Sequence, residues 1–133
     1  MTLERVNPPD LPAPSGFSHA VTARGGSLVF LAGQTALDAD GHIVDGGIVA
    51  QFEQALANLL AALHAAGGGP EHLAKVTIFA VDPADYRTHA RDIRAVWARL
   101  AGRDYPAMAL IGIVRLWDEP ALVELEGIAV LPD

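Results

Sequence analysis

The sequence predicts an α+β fold: a mixed sheet of about six strands with two helices on one face, in the order ββ(β)αβαββ. Three observations carry that expectation. Two long segments repeat apolar residues at helical spacing, Ile48–Ala66 and Asp82–Leu100. Between and around them lie short apolar or alternating runs rich in Val, Ile, Leu and Phe, bounded by Gly, Pro and Asp. The 133 residues suit one domain of ordinary size, expected over 15–133, behind a separate extended segment at 1–14.

That first segment holds four of the nine prolines (Pro8, Pro9, Pro12, Pro14) and is expected to lie extended over the body or loose. Phe17–Arg24 reads as a strand, Gly25-Gly26 as a tight turn and Ser27–Gln34 as the returning strand of a hairpin. Asp38-Ala39-Asp40-Gly41 is a turn followed by a short extended piece to Val44. The first helix carries Ile48, Phe52, Leu56, Leu59, Leu60 and Leu63 on one stripe and stops at Gly67-Gly68-Gly69-Pro70. Leu73–Val81 is a further strand. Asp82-Pro83 opens the second helix, with Tyr86, Ala90, Ile93, Trp97 and Leu100 on one stripe and Gly102 beyond its end. Ala107–Arg115 and Ala121–Val130 are the last two strands.

Two helices cover one face of such a sheet, and nothing remains in the chain to cover the other. Hydrophobic residues make up 51% and charged ones 19%, an apolar balance for so small a surface. A homo-oligomer whose subunits cover each other's sheets is therefore expected.

Sixteen acidic against nine basic residues give a formal charge of -7, which repels phosphate backbones and anionic membranes, so no nucleic acid and no membrane partner is expected. There is no Cys, which excludes disulfides and thiolate chemistry. The five His form no His-x-His or His-x-x-x-His pair, so no metal is expected. No nucleophile elbow appears, and Gly67–Gly69 is a helix stop rather than a phosphate loop. Glu4 and Arg5 stand where a signal peptide needs apolar residues, and runs such as Ala107–Val114 are too short to span a bilayer. A cytoplasmic chain is expected.

The stretch with chemical character is Ala121–Val130. On a strand, Val123, Leu125, Gly127 and Ala129 form a wholly apolar face, while Glu124 and Glu126 share the other with Leu122, Ile128 and Val130. Carboxylates among aliphatic neighbours are paired, for example with Arg115, or carry raised pKa values. Trp117, in the loop before them, reads equally as interface packing or a ligand wall.

The stretches PSGFSHAV (14–21), LVFLAGQ (28–34), FEQALANLLAAL, KVTIF, PAMA (106–109) and ALVELEGIAV, in this order, resemble the RidA/YjgF family, also known as endoribonuclease L-PSP or reactive-intermediate deaminases. The resemblance runs from Pro14 to Val130. It implies a chorismate-mutase-like fold, a homotrimer with ligand clefts between subunits, and hydrolysis of small enamines or imines without a cofactor. By position it implies Glu126 as the catalytic, water-orienting residue and Glu124 as its structural partner, with Phe17, Ser18, Gly33 and Ala109 around a small-molecule ligand. Two family positions differ. Met108 stands where an Arg grips the substrate carboxylate, and Phe17 where a Tyr lines the pocket. Losing such a clamp costs on the order of 2–5 kcal/mol, so the usual small imino acids are not the expected substrates. Arg94 and Arg115 are the candidates for a relocated positive charge. A non-catalytic binding module using the same cleft is the alternative reading.

Overall fold

Six strands and three helices make up the computed structural model, which describes residues 2–133. The strands are β1 (Thr2–Val6), β2 (Ala20–Arg24), β3 (Ser27–Gln34), β4 (Leu73–Ala80), β5 (Ala107–Gly112) and β6 (Val123–Leu131). The helices are α1 (Ile48–Ala65), α2 (Pro83–Thr88) and α3 (Ala90–Ala101). The α+β class read from the sequence is the one observed.

The main sheet has the order β3-β6-β4-β5. β6 runs antiparallel to both its neighbours, and β4 and β5 are parallel, joined by the α2–α3 crossover. The helices pack on one face of it. Phe52, Leu56, Leu59 and Leu63 of α1 and Ile93, Val96 and Trp97 of α3 meet Val76 and Ile78 of β4 and Val123, Leu125 and Ala129 of β6, all buried. The chain reverses out of α1 through Gly67, whose φ is 96°. There the Gly67 and Gly68 amides donate back to the His64 and Leu63 carbonyls, which satisfies the helix's last turn.

Four expectations change. Gly25 and Gly26 do adopt the positive φ of a turn, but β2 does not pair with β3. It pairs antiparallel with β1, Thr2 opposite Arg24 and Val6 opposite Ala20, so part of the extended N-terminal segment is a strand. A turn reverses a chain without choosing its partner: β3 is an edge strand paired with β6 alone, and β1 and β2 form a separate two-stranded sheet, leaving four strands in the main one. Second, β2 begins at Ala20 rather than Phe17. The residues before it bend at Gly16 (φ 77°), and Ser18 bridges to Ala107 at the start of β5. Third, the second helical region breaks at His89. The Thr88 hydroxyl donates to the Ala84 carbonyl and the His89 ring bonds the Asp85 carbonyl, side-chain bonds that compete with the backbone ladder. Fourth, β5 ends at Gly112, not Arg115. Its partner β4 stops at Ala80, the Ile113 amide takes the last carbonyl, and beyond it there is nothing to pair with.

The face away from the helices is open. Cross-strand neighbours share a face, so Phe30, Ile128, Lys75 and Ala107 form one row across it, and Glu124, Phe79 and Ile111 another. Phe30 is 74% exposed and Leu28 61%.

Candidate functional site

The candidate residues fall into two groups that the single chain keeps apart. The first lies at the outer edge of β5. Ser18 anchors it: its amide donates to the Pro106 carbonyl at 2.9 Å and its hydroxyl to the Tyr105 carbonyl at 2.7 Å. His19 steadies the same loop, its amide donating to Asn7 Oδ1 and its ring bonding the Pro12 carbonyl, both at 2.8 Å. The loop so held lays Ser15, Gly16 and Phe17 over a cavity of about 320 Å³ that Met108, Ala109 and Arg94 also line.

Ser18 is thus a structural residue here, buried with its hydroxyl occupied. The cavity takes Ser15 in its place, together with Ile78, Tyr86 and Ile93. In the sequence Tyr86 and Ile93 looked like plain members of an apolar helix stripe. The break at His89 and the departure of the loop from the strand are what open space in front of them.

The second group lies on the open face. A Cβ built on Gly33 would stand 2.8 Å from Glu124 Cδ and 2.9 Å from its Oε2, so the bare backbone of β3 accommodates this carboxylate. Glu124 is half-buried, and its carboxyl is held above the usual carboxylate range, first by burial and then by the like charges of Glu126 and Asp118. Asp118 is held nearby by the Thr35 hydroxyl at 3.3 Å. The pairing register puts Glu126 one row along, opposite Thr77, and exposed. In the single chain the two carboxylates therefore differ in setting: Glu124 is half-enclosed and Glu126 is exposed.

Arg115 pairs with neither Glu. It sits in the loop after β5 and donates to the carbonyls of Leu116 and Trp117, at 3.2 and 3.4 Å. With Trp117, which is 92% exposed, it lines a separate depression beside His42 and Asp118. Neither joins Phe17 and Met108. Among the described residues no cluster of three His, Asp or Glu could hold a metal ion, and no helix is long and apolar enough to cross a membrane.

Met108 and Glu124 point to opposite faces of the sheet. Met108 lies beside Val76 and shares the helix-covered side, whereas Glu124 lies beside Phe79 on the open side. Within one chain they cannot meet over one small molecule.

Comparison with known proteins gives consistent matches over nearly the full chain. A family model described as endoribonuclease L-PSP matches residues 9–131. A RutC family protein of Synechocystis sp. is 33% identical over 136 aligned positions, covering 99% of both chains. The 2-iminobutanoate/2-iminopropanoate deaminase of Bos taurus is 31% identical over 103 residues, 77% of this chain and 72% of that one. The crystal structure of YyfB, a protein of the conserved Rid family from Yersinia pestis, superposes with a TM-score of 0.86 at 34% identity, covering 98% of this chain and all of the other.

Proposed function

Since the chain belongs to the endoribonuclease L-PSP family, known also as RidA/YjgF, we propose that it is a cofactor-independent hydrolase of a small imine or enamine, working in a cleft between subunits of a homotrimer. The observation that carries this reading is Glu124, a half-enclosed carboxylate with a raised pKa, seated against a glycine on an open apolar face. It forms no ion pair with a Lys or Arg among the described residues, so it is free to handle a proton.

In this reading Glu124 takes a proton from water as the water oxygen adds to the imine carbon. That proton passes to the imine nitrogen to give a neutral carbinolamine, whose hydroxyl proton Glu124 then takes and hands to the amine nitrogen. The C–N bond breaks, and ammonia and a carbonyl product leave. Phe17 and Met108, from the neighbouring copy, form the wall against which the rest of the molecule lies. The deaminase of Bos taurus is named for imino-acid substrates of this reaction type.

Ammonia release from a panel of imines, compared between the natural protein and Glu124→Gln, tests the assignment. Loss of about 10²-fold or more in kcat/KM is expected, with Glu126→Gln retaining most of the rate. Equal loss in both variants, or none in either, overturns it.

Met108 supports a second reading, in which the cleft binds a metabolite without transforming it, because no bidentate donor stands at that position. Met108→Arg discriminates. If that change creates deaminase activity where the natural protein has none, the binding reading holds. RNA cleavage, which the matched family's description names, is opposed by the charge of -7.

A further inference from the structure

The cavity beside Met108 has its own cation. Arg94 projects from α3, and its Nη1 donates to Ser15 Oγ at 2.7 Å. A Cβ on Gly16 would meet Arg94 Cδ at 3.4 Å, so the loop that carries Phe17 also holds the arginine's shaft. Arg94, like every Lys and Arg but Arg99, forms no ion pair among the described residues. A guanidinium carries five N–H donors, and Ser15 uses one. Arg94 is exposed, so the others are open to solvent or to a ligand.

The wall behind this cation is apolar. Phe17, Ile78, Ile93, Met108 and the ring of Tyr86 line it. The Tyr86 hydroxyl makes no hydrogen bond to another described residue. Burial pushes its pKa up to about 12, against the opposing pull of the Arg94 charge, so it remains a neutral donor at physiological pH. A ligand side chain bearing a charge or hydroxyl would lose its water against Met108 and find no partner there. A very short one would leave the cavity underfilled and forgo its contacts.

We propose that Arg94 is the specificity-determining residue of this cleft, gripping the carboxylate of an imino or enamino acid whose side chain is apolar. The anionic handle has moved from the β5 strand to α3, and Met108 has become part of the side-chain wall. This inference rests on the proposed reaction in taking the ligand to be its substrate or product.

The test is equilibrium binding of the stable product acids 4-methyl-2-oxopentanoate and pyruvate, measured by calorimetry on the natural protein, Arg94→Gln and Arg94→Lys. The branched acid is expected to bind roughly tenfold or more tightly than pyruvate, and Arg94→Gln to weaken it by at least about tenfold with an unchanged melting curve. Arg94→Lys should restore part of the loss, since it keeps the charge without the fork. Unchanged affinity in Arg94→Gln, a preference for pyruvate, or no binding by the natural protein overturns the proposal. If binding follows the expected pattern while no imine is hydrolysed, the reaction fails and the Arg94 assignment stands. If imines are hydrolysed and Arg94→Gln keeps the natural kcat/KM, the reaction stands and the assignment fails.

Discussion

Burial and the charges of Glu126 and Asp118 all disfavour ionised Glu124, so its carboxyl holds its proton to higher pH in the folded chain than in the unfolded one. From the unfolded value near 4.5 up to that raised folded value, the native state binds more protons than the unfolded state. Stability contributed by this group is therefore lost as pH rises through that window, and the loss persists above it. Glu124→Gln removes the effect. Its melting temperature should gain on the natural protein between pH 4 and pH 8, with the gain confined to the higher pH. A gain of equal size at both would mean that the charge is not the cause. Gly33 allows a second measurement. Its φ is one that any residue adopts, and the atoms an added Cβ would strike belong to the movable end of Glu124. Gly33→Ala should leave the melting temperature within a few degrees and displace the carboxylate, at a cost of roughly 10²-fold in rate. A large loss of stability with no loss of rate would contradict this.

Among the elements, those whose bounds are set by their own residues were legible in the sequence. Ser27–Gln34 matches β3, and Ile48–Ala66 matches α1 to one residue, because apolar spacing and the Gly67–Gly69 stop are local signals. What the sequence hid was set by partners. β5 ends where β4 does, β2 pairs with a segment that its prolines made look formless, and the helix breaks through side-chain bonds one turn back. The site follows the same division. The strand bearing the two carboxylates was evident, but which of them is enclosed depends on Gly33, a residue on another strand. Gln51 was missed altogether, since its polar side chain interrupts no apolar stripe. Buried in α1, it donates to the Pro120 carbonyl at 3.1 Å and accepts from the Leu122 amide at 2.8 Å, tying the helix to the entry of β6. Gln51→Ala leaves both backbone groups unpaired, at a cost of about 2–3 kcal/mol, or roughly 10 °C in melting temperature for a chain of this size. Calorimetric melting measures it, and a shift under about 2 °C would show that water replaces the amide.

For the whole molecule, the open sheet face is where the proposed assembly can be tested. Phe30 and Leu28 are too exposed and too apolar to face water in an isolated chain without promoting association. Phe30→Glu places a charge in that row. Light scattering should find the natural protein at about three times the 14.0 kDa chain mass, and the variant at one. A natural protein that runs as a monomer would remove the basis for a shared cleft. The strand order has a consequence of a different kind, for how the protein is made. β6 occupies the middle of the sheet although it is the last of the six strands in sequence. Neither β3 nor β4 has its antiparallel partner until residue 131 has left the ribosome. At usual synthesis rates the roughly fifty residues between the ends of β4 and β6 take on the order of 3–10 s. For that interval β3 is unpaired and β4 has only β5 beside it, so the apolar face of α1 waits for the last strand to complete the sheet that buries it.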